Sequence, residues 1–132
     1  MDKEKKEEQK TIFIVEDNVV YAETLQKFIL IRFRNVRVKT FHIGELCLKE
    51  LYRNPSIVIM DYFLNSQYEK AQNGLEIIKS IKKYNSEINI IVLSSQEKYS
   101  VMVKAVAFYQ CPYIQKDEEA FEKIAKLIKE FI

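Results

Sequence analysis

The 132-residue chain has no tryptophan, one histidine and two cysteines. Cys47 and Cys111 are too few and too far apart for a zinc site or a disulfide framework, and free cysteine is most often simply buried. A structural role is expected for both. The lone histidine, His42, follows a strand in a loop and is assigned no function. No apolar stretch approaches the roughly 20 residues of a membrane span, and the N-terminus lacks the apolar core of a signal peptide. The chain therefore reads as cytoplasmic, with no membrane partner. Its formal net charge is +2 and it has no basic cluster, so electrostatics give no reason to expect nucleic acid.

What is present suits one globular domain: 48% hydrophobic and 30% charged residues in a length that buries a real core. Residues 1–10 hold four acids and four bases. They read as a charged, solvated N-terminal extension, frayed or briefly helical, ahead of a domain spanning 11–132.

The run Ser56-Ile57-Val58-Ile59-Met60-Asp61 organises the rest. A strand buried on both faces is a continuous apolar run, the mark of a central strand in a parallel sheet. It stops abruptly on a carboxylate, and ligands of open α/β sheets sit beyond the carboxyl ends of the strands. Residues 11–15 repeat the pattern and end on Glu16-Asp17-Asn18. Adjacent acids repel unless a cation lies between them. Helix N-capping by Asp17 or Asn18 is the competing explanation.

A helix is expected over 19–34, with Tyr21, Leu25, Phe28 and Ile29 at helical spacing. Leu30, Ile31 and Phe33 widen its stripe, which implies crowded surroundings or a contact surface. Residues 36–41 alternate like an edge strand with one wet face. Residues 44–53 read as a helix stopped by Asn54-Pro55. A long loop runs from 62 to 72, and a helix opens at Asn73-Gly74 and ends near 84–85. A buried strand over 88–93 ends on Ser94-Ser95, a helix covers 97–109, and a short strand over 112–115 ends on Lys116. Asp117-Glu118-Glu119 then caps and opens a final helix, its stripe made by Phe121, Ile124, Ala125, Ile128 and Phe131. Five β-α repeats mean a parallel sheet with helices on both faces.

Right-handed crossovers bring all five strand ends to one edge of the sheet. Glu16, Asp17 and Asp61, the Ser94 hydroxyl and the Lys116 ammonium therefore meet there. Three carboxylates suit a hard divalent cation, and Mg²⁺ prefers such oxygen ligands. With the repulsion offset, Asp61 can attack phosphorus and form an acyl phosphate. Ser94 can hydrogen-bond a phosphoryl oxygen, and Lys116 can pair first with Asp61 and then with the phosphoryl group.

In these residues the chain resembles the receiver domains of two-component response regulators, from Thr11 to Ile132. The resemblance rests on Glu16-Asp17, Asp61, Ser94, Tyr113 and Lys116 in that order. It implies a flavodoxin-like (βα)₅ sandwich with a parallel sheet of order 2-1-3-4-5. It implies a phosphoacceptor switch, not an enzyme beyond its own phosphoryl transfer and dephosphorylation. Asp61 would take a phosphoryl group from a sensor histidine kinase or phosphotransfer protein, with Mg²⁺ on Glu16, Asp17, Asp61 and the main-chain carbonyl of Phe63. Ser94 would shift and Tyr113 would rotate inward. The face of the fourth helix, fifth strand and fifth helix would then meet a downstream protein or a second copy. An aromatic in a short strand is also ordinary packing, the other reading of Tyr113. Phe63 and Gln96 occupy the places that modulate hydrolysis of the acyl phosphate: a Phe would restrict water and a Gln could orient it, leaving the phosphate lifetime open.

The chain departs from the family at three places. Asn65 stands where a Pro is usual, and 66–72 is an insertion beside the metal site, which implies a dedicated partner. Tyr109-Gln110 replaces the usual Gly-Ala, and Lys116-Asp117 the usual Lys-Pro. Two other functions compete. A receiver-like scaffold would bind its partner independently of phosphorylation. A Mg²⁺-dependent phosphatase with an aspartyl nucleophile would need a substrate pocket for which this short chain has little room.

Overall fold

The computed structural model describes residues 8–62, 74–95 and 107–132. The expected loop over 62–72 and helix over 97–109 fall mostly outside these, although residues 107–109 are helical. Five strands, β1 (Lys10–Val15), β2 (Val36–Phe41), β3 (Ile57–Asp61), β4 (Asn89–Ser94) and β5 (Tyr113–Gln115), form one sheet in the order β2-β1-β3-β4-β5. Every pairing is parallel. The parallel pairing is the one expected from the β-α repeats, the strand order is the flavodoxin-like one implied by the family resemblance, and β2 lies at the edge its alternation called for.

The apolar runs are continuous because the sheet is covered on both sides. Phe13, Val15, Val58, Met60, Ile90 and Val92 point into one core cluster beneath α2 (Gly44–Leu48) and α3 (Gly74–Tyr84). Ile12, Ile14, Ile57, Ile59, Ile91 and Leu93 point into the other, beneath α1 (Val19–Arg32) and the C-terminal helix Ala120–Phe131. The period-2 alternation of a strand divides each run between the two layers. Cys47 and Cys111 are free and buried in the first cluster. Burial pushes their thiols up to about 12 and about 11, which leaves them unreactive near neutral pH.

α1 buries Ala22, Leu25 and Ile29 and leaves Leu30 and Ile31 exposed, so its wide stripe includes an apolar outer surface. The helix expected over 44–53 is shorter. It ends at Leu48, and Leu51–Arg53 forms a separate 3₁₀ turn. Asn54 closes that turn in the left-handed region, φ 56°, a cap conformation that asparagine tolerates better than most residues. The start of the final helix also differs. Asp117 Oδ1 accepts from the Glu119 amide at 2.9 Å, capping a turn ahead of the helix, and Ala120 is the first helical residue.

Candidate functional site

Strand register brings the carboxyl ends together. β1 pairs with β3 up to Val15 beside Met60, so the next step sets Glu16 level with Asp61. β3 pairs with β4 up to Asp61 beside Leu93, one residue short of Ser94. β4 pairs Ser94 with Gln115, and the Lys116 amide donates to the Ser94 carbonyl at 2.9 Å. Glu16, Asp61 and Ser94 are the buried polar or charged side chains among the described residues, and all three lie at this edge. Buried carboxylates need partners.

The partner is Lys116. Its Nζ lies 3.0 Å from Asp61 Oδ2 and forms an ion pair with Glu16 Oε1. The other oxygen of Glu16 accepts from the Asn18 amide at 3.0 Å. Burial raises the Glu16 carboxyl to about 7; the hydrogen bond from Lys116 opposes that rise and the nearby Asp61 adds to it. Burial also disfavours the Lys116 ammonium, but the two acids outweigh it and leave its pKa raised. Asp17, more open to solvent, completes the set: ligand oxygens of Glu16, Asp17 and Asp61 all lie within 4.8 Å of one another. Asn18, not Asp17, caps α1, its Oδ1 accepting from the Tyr21 amide at 3.0 Å. Capping and the acidic cluster thus coexist on neighbouring residues.

A family profile, "Response regulator receiver domain", matches residues 12–129. The chain belongs to the response regulator receiver domain family. Solved receiver structures share its fold. A DNA-binding response regulator of the LuxR family from Staphylococcus aureus is 22% identical with a TM-score of 0.76, covering 92% of this chain and 98% of that one. The isolated REC domain of RcsB from Salmonella enterica serovar Typhimurium, determined with phosphomimetic BeF3, is 18% identical with a TM-score of 0.76 over 92% of this chain and 89% of that one. The response regulator domain of Thermotoga maritima CheB is 20% identical, TM-score 0.72, with 93% of each chain covered. No curated protein gives a significant match.

In this receiver domain the acidic cluster fits a hard cation: its donors are all carboxylate oxygens, converge from two strand ends, and are mixed with no sulfur or imidazole. Ser94 is fully buried at the end of β4. Tyr113 is half-buried and packs against the cluster beneath α3. Phe63, Gln96 and the insertion at 66–72 lie outside the described residues. α3 begins hard against the site: a Cβ on Gly74 would overlap the carbonyl oxygen of Tyr62, the residue after Asp61. No helix among the described residues is long and apolar enough to cross a membrane.

Two neighbours of the site were not legible as such. His42 Nδ1 lies 2.9 Å from the carbonyl oxygen of Glu16, to which it can donate, and so ties the end of β2 to the backbone carrying the acids. Tyr21 sets its ring 4.6 Å from Lys116 Nζ. Helical spacing accounts for Tyr21 as packing, and a loop histidine carries no local signal. Only the tertiary fold joins either residue to the acids.

Proposed function

We propose that this receiver domain is a phosphorylation switch in two-component signalling that takes a phosphoryl group on Asp61 from a phosphohistidine of a sensor histidine kinase or phosphotransfer protein. One observation carries the reading: a single ammonium, Lys116, joins Asp61 to Glu16 beside a third carboxylate, Asp17. A structural ion pair needs one acid, whereas phosphoryl transfer needs a nucleophile, a cation site and a positive charge for the phosphoryl oxygens.

In the transfer, an Asp61 carboxylate oxygen attacks phosphorus. The P–O bond forms as the P–N bond to the donor imidazole breaks, and the leaving imidazole takes up a proton from solvent. Glu16, Asp17, Asp61 and the main-chain carbonyl of Phe63 would hold Mg²⁺, whose charge offsets that of the transferring oxygens. Lys116 passes its ion pair from the free carboxylate to a phosphoryl oxygen, and the Ser94 hydroxyl donates to another. Tyr113 turns into the space that Ser94 leaves. This repacks the surface of the helix preceding β5, β5 itself and the C-terminal helix, where a downstream protein or a second copy docks. Beyond this transfer and the hydrolysis of its own acyl phosphate, no turnover is assigned. The cytoplasm is the proposed location, where two buried free thiols stay reduced.

Incubation with Mg²⁺ and acetyl phosphate, read by intact mass, tests the reading. The wild type gains one acid-labile phosphate and Asp61→Asn gains none. An unlabelled wild type overturns it.

A further inference from the structure

Lys116 has a third contact that neither acid explains. Tyr21, in the first turn of α1, lays its ring 4.6 Å from the ammonium. The ring is itself held: it meets Phe121 of the C-terminal helix edge-on at 5.6 Å, and Phe121 meets Phe28 at 5.2 Å. The Tyr21 hydroxyl is buried without a hydrogen-bond partner among the described residues, so no hydrogen bond to any of them accounts for the ring's placement. Burial pushes this phenol above its ordinary range, with Lys116 pulling it back and Glu16, Asp61 and Asp117 pushing it further, as expected of a ring inside the field of the site.

We propose that Tyr21 is a positioning residue for Lys116, its ring face confining the ammonium over the oxygens of Asp61 and Glu16. A lysine side chain is a point charge on a flexible four-carbon stem, and two carboxylates alone leave it several rotamers. An aromatic face attracts the cation and excludes water on its side. Because Tyr21 sits on α1 and Lys116 follows β5, the contact also makes the setting of the ammonium depend on the packing of α1 against the C-terminal helix. The proposal rests on the phosphoacceptor reading only for its kinetic consequence: a loosened ammonium meets the transferring phosphoryl group less often.

Tyr21→Phe keeps the ring and Tyr21→Leu removes it while still packing on Phe121. Two measurements on each, beside the wild type, decide the matter. The first is the ¹H–¹³C signal of the Lys116 ε-methylene, which a ring face displaces upfield. Expected is an upfield signal in wild type and Tyr21→Phe and its loss in Tyr21→Leu. The second is the rate of Asp61 phosphorylation by acetyl phosphate at saturating Mg²⁺. Expected is a fall of about fivefold in Tyr21→Leu, with Tyr21→Phe within about twofold of wild type. A Tyr21→Leu rate equal to wild type, or a Tyr21→Phe rate as low as Tyr21→Leu, overturns the proposal. If the wild type takes no phosphate, the phosphoacceptor reading fails on its own, and the Lys116 signal still decides the contact: equal signals in all three proteins overturn it.

Discussion

Lys116 Nζ stands 3.0 Å from Oδ2 of Asp61, joining residues 55 apart in the chain. The same nitrogen pairs with Glu16, so one cation is divided between two buried acids. Remove it and, wherever Glu16 is ionised, two like charges face each other in a low-dielectric site. A divalent cation on those acids would do the same electrostatic work as Lys116, which makes lysine and metal partial substitutes for stability but not for transfer.

Lys116→Ala is therefore expected to destabilise the protein by about 1–3 kcal/mol in EDTA, the cost of leaving buried polar groups unpaired, since Glu16 can shed its charge by taking up a proton. Urea denaturation with and without Mg²⁺ checks this: added Mg²⁺ recovers much of the loss, whereas the rate of phosphorylation stays depressed.

Stability should also depend on pH through Glu16. The folded chain holds this carboxyl protonated up to about 7, against an ordinary value of 4.5. Between those values the folded state binds the extra proton, so this group's contribution to stability in EDTA falls as pH rises from about 4.5 to about 7 and is level above that. Urea denaturation of wild type and Glu16→Gln over that range isolates it. The wild type loses stability relative to the variant as pH increases, and a constant difference would contradict the assignment.

Much of the site was legible because its residues stand where apolar runs stop. Glu16, Asp61 and Ser94 end strands buried on both faces, and a parallel sheet leaves such ends nowhere to go but one edge. The broken helix after Gly44 was not legible, since Leu46, Cys47, Leu48 and Leu51 keep an apolar rhythm across the point where the backbone changes course. The acids at 117–119 have cap chemistry, but Asp117 spends it on the Glu119 amide in a preceding turn. Tyr21 fits its helix so well as packing that its second role, beside a lysine from the far end of the chain, leaves no trace in spacing.

Gly74→Ala tests the packing beside the phosphoacceptor. The new methyl would strike the backbone carbonyl of Tyr62, which cannot swing aside as a side chain does. A loss of about 1–3 kcal/mol is expected from such overpacking, read as a lower urea midpoint.

Gln110 occupies the left-handed region with φ 54°, immediately before the segment that leads into β5. A glycine relieves that strain, and Gln110→Gly is expected to raise stability by about 0.5–1 kcal/mol, net of the entropy glycine gains when unfolded. An upward shift of the thermal midpoint checks it.

The most direct test of the whole account asks which carboxylate carries the phosphate. Borohydride reduces an acyl phosphate of aspartate to homoserine, leaving unmodified carboxylates untouched, and peptide mass mapping then finds the converted residue. After phosphorylation in Mg²⁺, homoserine is expected at position 61 alone; its appearance at position 17, or a converted glutamate at 16, would contradict the assignment of Asp61 as the acceptor.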